Sequence, residues 1–263
     1  MNQSTSQFIL VTPPNHIQAA SSYRLPLAHM AYRIGNGPHL YRAQFPAMPK
    51  GGLMMIGEDN FDGQGDVTVF CREVIRECQA RGFTGILFDP ESAPSPALSK
   101  IISILSEQIT RRGWSFYLSE AYSNYSDNAR ILVSSAISGG SLHQRLSAAA
   151  DRYGAQRVTL CIDRSAEDFF LPASRGSGRP LSREELQQKI KAISPSIFFS
   201  HELCAHYFTY MNRDNGAHFV LFDDVGSIRK KIALAEQAGI RRFLLFYHRV
   251  DDLLPELFGT SNP

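Results

Sequence analysis

The chain has 263 residues with 27 basic and 25 acidic side chains, so its formal net charge is +2. Its 43% apolar, 20% charged and 11% aromatic residues can bury a full core, which excludes disorder, collagen-like repeats and coiled coil. Near-balanced charge without a Lys/Arg stripe argues against a nucleic-acid partner, and no apolar run approaches the roughly 20 residues that span a bilayer. MNQSTSQ at the start lacks the basic and apolar segments of a signal peptide, so an unexported, soluble chain is expected. Cys71, Cys78, Cys161 and Cys204 form no CxxC pair, and isolated thiols are expected, with no structural zinc and no other cofactor.

In chain order, short β-rich apolar runs alternate with helical patterns. Strands are predicted at 8–11, 27–32, 53–56, 85–88, 115–118, 131–134, 158–162 and 243–246. Between them, Val67, Phe70, Val74, Ile75 and Cys78 recur at spacings of three and four, which predicts a helix over 67–81 ended by Gly82. The same pattern predicts helices over 98–112, 141–153 and 227–238, with Gly113, Gly154 and Gly239 as terminators. Parallel strands need crossover connections, and helices usually supply them. The expectation is therefore a (β/α)8 TIM barrel, one domain over 1–263, with an open doubly wound sheet as the alternative. No GxGxxG follows a strand, so the dinucleotide version of that alternative has no support. The long gap before the last strand holds a predicted mobile loop, SRGSGRP at 174–180, and β-rich runs at 197–200, 206–210 and 218–222. It reads as a small β-containing insertion over 164–224.

In a parallel barrel, chemistry sits where strands end. Here those positions are acidic: Glu58 and Asp59 follow LMMIG, Asp89 and Glu91 follow GILF, Glu120 follows FYLS, and Asp163 follows TLCI. One such acid alone is more often a helix cap or a solvated group, and Asp163 with Arg164 reads equally as a surface pair. Four strands aiming carboxylates at one rim would raise some of their pKa values, as a general acid near neutral pH requires. FDPE is the sharpest element, because Asp89 and Glu91 lie two apart on extended backbone and project to one side.

At TGILFDPE, 84–91, the chain resembles glycoside hydrolase family 18, and within it the spore-associated barrel glycosidases. That family carries DxxDxDxE at the end of the fourth barrel strand; Asp89 and Glu91 match its last two acids, while Thr84 and Leu87 stand at the first two. LAHMAYRIGNGPHLY is similar to the family's second strand and turn. The stretch 196–247 is similar to its insertion, penultimate helix and last strand, with Phe246 where a tryptophan usually floors the sugar site. ILVSSAIS, 131–138, stands where the family's sixth strand ends in Met-x-Tyr-Asp, and has neither Tyr nor Asp.

The resemblance implies a retaining glycosidase on N-acetylglucosamine-containing glycan, peptidoglycan or chitin-like, in a cytoplasmic, spore or cell-wall setting. Glu91 would protonate the glycosidic oxygen, and Asp89 would position the acetamide whose oxygen attacks the anomeric carbon. Glu58, Glu120, Asp163, Tyr32, Phe246 and Tyr247 are the expected substrate-binding residues, and Tyr122 and Tyr125 are further aromatics near the proposed mouth. The departures at Leu87, Ser134 and Ser135 keep two alternatives open: a sugar-binding barrel without catalysis, and a structural spore-layer protein. A metal-assisted hydrolase using His248 or His29 is a fourth option, but no HExxH supports it.

Overall fold

Residues 5–43, 50–173, 177–212 and 216–259 are described by the computed structural model. Its chain order is β1 (Gln7–Thr12), α1 (Ile17–Ser21), β2 (Leu27–Gly35), β3 (His39–Arg42), β4 (Leu53–Glu58), α2 (Val67–Arg81), β5 (Gly85–Phe88), α3 (Pro96–Arg111), β6 (Ser115–Ser119), β7 (Arg130–Ser134), α4 (Leu142–Tyr153) and β8 (Val158–Ile162). An insertion then supplies β9 (Ala166–Phe170), β10 (Arg179–Pro180), α5 (Arg183–Ile193), β11 (Phe198–Ser200), β12 (Ala205–Met211) and β13 (Ala217–Phe222). The chain ends with α6 (Val225–Gln237), β14 (Arg242–Phe246), α7 (Tyr247–Val250) and α8 (Leu254–Phe258).

The parallel strands pair in the order β1, β2, β4, β5, β6, β7, β8, β14, and β14 returns to β1. That closure makes the sheet a (β/α)8 barrel and removes the open-sheet alternative. All eight predicted runs are barrel strands. Alternation along each strand divides the apolar residues into two layers. Ile9, Val11, Ala28, Leu53, Met55, Leu87, Tyr117, Leu132, Cys161 and Leu244 fill the barrel interior. Their neighbours Leu10, Met54, Ile86, Phe88, Leu118, Val133 and Phe243 face the helices, where Phe70, Val74 and Cys78 of α2 and Ile101, Ile102 and Leu105 of α3 cover them.

Caps set the helix ends. Asp66 accepts from the Thr68 N–H at the start of α2, and Gly82 closes it at φ +68°. Ser95 and Ser141 cap α3 and α4 in the same way.

Between β8 and α6 stands an antiparallel sheet in the order β10, β9, β13, β12, β11. The three expected runs are β11, β12 and β13; β9 and β10 are additional. Arg179 and Pro180, expected in a mobile loop, pair with Asp168 and Glu167 of β9, while 174–176 of that loop lie outside the described residues. At the sheet's root, fully buried Asp223 accepts from the Ser165 N–H, the Ser227 hydroxyl and Lys231, which ties β9 to α6.

Candidate active site

Period-two alternation decides which residues crown the barrel interior. Directly beyond interior Leu87, Leu132, Cys161 and Leu244 come Asp89, Ser134, Asp163 and Phe246. Asp89, Glu91, Glu58, Met30, Arg33, Phe246, His248 and Arg249 border one open cavity of about 460 Å³ at the C-terminal ends of the strands. The predicted catalytic pair therefore shares a mouth with the predicted floor residue.

Within this mouth the two carboxylates differ. Asp89 is half-buried, and burial, with help from the charges of Asp163 and Glu91, pushes its carboxyl up to about 6. Glu91 is exposed and makes no hydrogen bond or ion pair among the described residues. Its neighbour Ser92 is fixed: Glu58 accepts from the Ser92 hydroxyl at 2.8 Å and its N–H at 3.3 Å, and Tyr122 donates to the Ser92 carbonyl at 2.6 Å.

Asp163 is held from three sides. Ser134 donates to its Oδ2 at 2.7 Å, Arg249 to its Oδ1 at 3.0 Å, and its own N–H donates to Ser135 Oγ at 3.1 Å. The Arg249 guanidinium also stands over the Phe246 ring, 5.3 Å from its centroid. The serines at the sixth barrel strand's end thus serve Asp163, and interior Leu87 occupies the point below Asp89 where the resemblance has an acid.

Other predicted site residues turn elsewhere. A bulge in β2 between Met30 and Tyr32 shifts the register, so Ala31 and Tyr32 both face the helix layer and Arg33 borders the mouth. Tyr32 lies along the cavity's edge, but its hydroxyl donates to Glu77 of α2 at 3.0 Å and its ring meets Phe83 edge-on at 5.9 Å. Tyr247 is buried in the helix-facing core, with its ring 5.4 Å from that of His16. Glu120 pairs with Arg145 of α4 and borders a separate cavity of about 630 Å³ beside that helix. Asp59 pairs with Arg33 at 3.1 Å on the surface. Tyr122 is fully buried rather than available to a sugar face, and Tyr125 is exposed beside Ser106 and Asp127.

Arg33, Ser92 and Arg249 were not expected at the site. Arg249 was within reach of sequence reasoning, since it lies three residues past the end of the last strand; Arg33 was not, since the bulge leaves no mark in the alternation. Among the described residues no group of three or more His, Cys, Asp or Glu side chains is arranged to hold a metal ion. His29 is buried against Phe83, and its burial lowers the imidazole's proton affinity. All four cysteines are free and buried, and burial raises each thiol's pKa. No helix among the described residues is long and apolar enough to cross a membrane.

The sequence matches no protein-family model and no curated protein. Solved structures do match. The spore cortex-lytic enzyme SleL of Bacillus megaterium superposes with a TM-score of 0.68 at 15% identity, over 93% of this chain and 71% of SleL. A chitinase from Chromobacterium violaceum gives 0.66 at 15% identity, over 98% of this chain and 96% of that one. A mutant GH18 chitinase from Cycas revoluta in complex with (GlcNAc)4 gives 0.66 at 13% identity, over 97% and 99%. At such identities the likeness establishes the fold alone: this chain is a (β/α)8 barrel of the same architecture as those enzymes.

Proposed function

We propose that this barrel is a retaining glycosidase acting on N-acetylglucosamine-containing glycan, of the peptidoglycan or chitin type, with Glu91 as general acid/base and Asp89 assisting the acetamide. The observation that carries the proposal is the placement of an unpaired Glu91 and a half-buried Asp89 on one cavity at the end of the fourth barrel strand. An unpaired carboxyl can approach a glycosidic oxygen, protonate it and take the proton back from water. Asp89, near its titration midpoint at mildly acidic pH, can accept the acetamide N–H and hold its oxygen toward the anomeric carbon. The likeness to chitinases, one of them holding (GlcNAc)4, and to a spore cortex-lytic enzyme supports the substrate class.

Purified protein and Glu91→Gln are to be compared on peptidoglycan and on N-acetylglucosamine oligomers. Product release by the wild type with loss of at least about a hundredfold in the variant supports the assignment, a size in keeping with removal of a general acid. Equal release by both ends it.

A second reading, glycan binding without turnover, is favoured by a different observation. Ser134, at the end of the strand where the resemblance has its acetamide-holding tyrosine, donates to Asp163, and Arg249 covers the Phe246 face. Calorimetric binding of (GlcNAc)4 with no product from any substrate would select it.

A further inference from the structure

Glu91 lies on an exposed loop between β5 and α3, and nothing among the described residues touches its carboxylate through a hydrogen bond or ion pair. A general acid must nevertheless stand in one place, because small displacements from the productive geometry cost large factors in rate. The loop's fixed point is the next residue. Ser92 is gripped from both strands that flank β5. On the β4 side, Glu58 accepts from the Ser92 hydroxyl at 2.8 Å and its N–H at 3.3 Å. On the β6 side, Tyr122, in the 3-10 turn that follows the strand, donates its hydroxyl to the Ser92 carbonyl at 2.6 Å. Tyr122 is fully buried, so its hydroxyl cannot turn to water instead.

We infer that Glu58 and Tyr122 are positioning residues: together they clamp Ser92 and thereby fix where the Glu91 carboxyl stands over the cavity. This rests on the reading of Glu91 as the acid/base, and it gives Glu58, expected as a sugar contact, a positioning role at the same cavity. Both groups act through Ser92, and each bond crosses from a neighbouring strand, so the clamp transmits the rigidity of the barrel to the loop that carries Glu91.

The mobility arm needs no turnover. The native cysteines are buried, so a nitroxide on Glu91→Cys labels one exposed site in the full chain. Its spectrum is to be compared with that of the same label combined with Tyr122→Phe, Glu58→Ala or Ser92→Ala, and with Tyr125→Phe as a control outside the clamp. Increased mobility in the three clamp variants and none in the control is expected; equal mobility in all overturns the inference. Ser92 is exposed, so Ser92→Ala and Glu58→Ala decide if Tyr122→Phe fails to fold.

The kinetic arm uses N-acetylglucosamine oligomers. Tyr122→Phe is expected to lower kcat by about tenfold or more while KM stays within about twofold, the signature of a misplaced catalytic group. A change in KM alone overturns it. If Glu91→Gln is fully active, the functional reading fails while the label still reports on the clamp. If Glu91→Gln is inactive and the label is indifferent, the clamp fails alone.

Discussion

The Arg249 guanidinium stands over the Phe246 ring at 5.3 Å from the centroid, and the same group donates to Asp163 at 3.0 Å. An exposed cation–π contact is worth about 0.5–1 kcal/mol and an exposed ion pair about 0–1 kcal/mol, so the arginine is weakly held. A sugar ring that is to stack on Phe246 must move it aside. Arg249→Ala is therefore expected to tighten binding of (GlcNAc)4 several-fold by calorimetry, with little change in thermal stability. Phe246→Ala should weaken binding by about tenfold, the scale of one aromatic stacking contact. Weaker binding by Arg249→Ala would instead make the guanidinium itself a ligand contact.

Asp89 predicts an inverse relation between site and stability. Its carboxyl titrates near 3.8 in the unfolded chain and at about 6 in the fold. Below 3.8 both states hold the proton and burial carries no ionic penalty. As pH rises through that window the unfolded chain releases the proton first, and the fold loses stability until the penalty is complete above about 6. Asp89→Asn never ionises. It is expected to be more stable than the wild type by about 2–3 kcal/mol at pH 8, from the size of the shift, with the difference vanishing at pH 3.5. Urea unfolding at the two pH values measures this, and a difference that does not depend on pH would refute it.

Asp163 should tune that same group. Burial is the larger cause of the raised Asp89 value, and the Asp163 charge comes next. Asp163→Asn is expected to lower the Asp89 midpoint from about 6 without returning it to the usual carboxylate range, since burial remains. A carbon-13 NMR titration of the Asp89 carboxyl reads the midpoint directly; an unmoved value would show that the two charges do not communicate.

What the sequence could reveal follows from how local each signal is. All eight barrel strands were legible, because runs such as VTLCI and FLLF are continuous, β-rich and separated by helix signals. The inward direction of Asp89 and Phe246 follows from period-two spacing to Leu87 and Leu244. Non-local events escaped. The β2 bulge turns Tyr32 outward to Glu77, 45 residues away, and Arg145, 25 residues beyond Glu120, draws that acid toward α4. β9 escaped for another reason: AEDFF starts just past β8 and its alternation is too short to separate from a loop.

The root of the insertion offers the largest expected stability effect. Lys231 and Asp223 are each 1% exposed, with Nζ and Oδ2 at 2.6 Å, and Asp223 also takes hydrogen bonds from Ser165 and Ser227. Two charges so far from water are tolerated because each neutralises the other. Lys231→Met leaves the aspartate buried without its cation and is expected to destabilise the fold by about 3–5 kcal/mol in urea titration. Adding Asp223→Asn removes the stranded charge while leaving an amide oxygen for the Ser165 N–H, and should restore part of the loss. The coupling between the two substitutions is then the measure of the pair. If the double variant is as unstable as the two single losses added together, the ions act independently, and the Asp223 bonds to Ser165 and Ser227 alone hold β9 to α6.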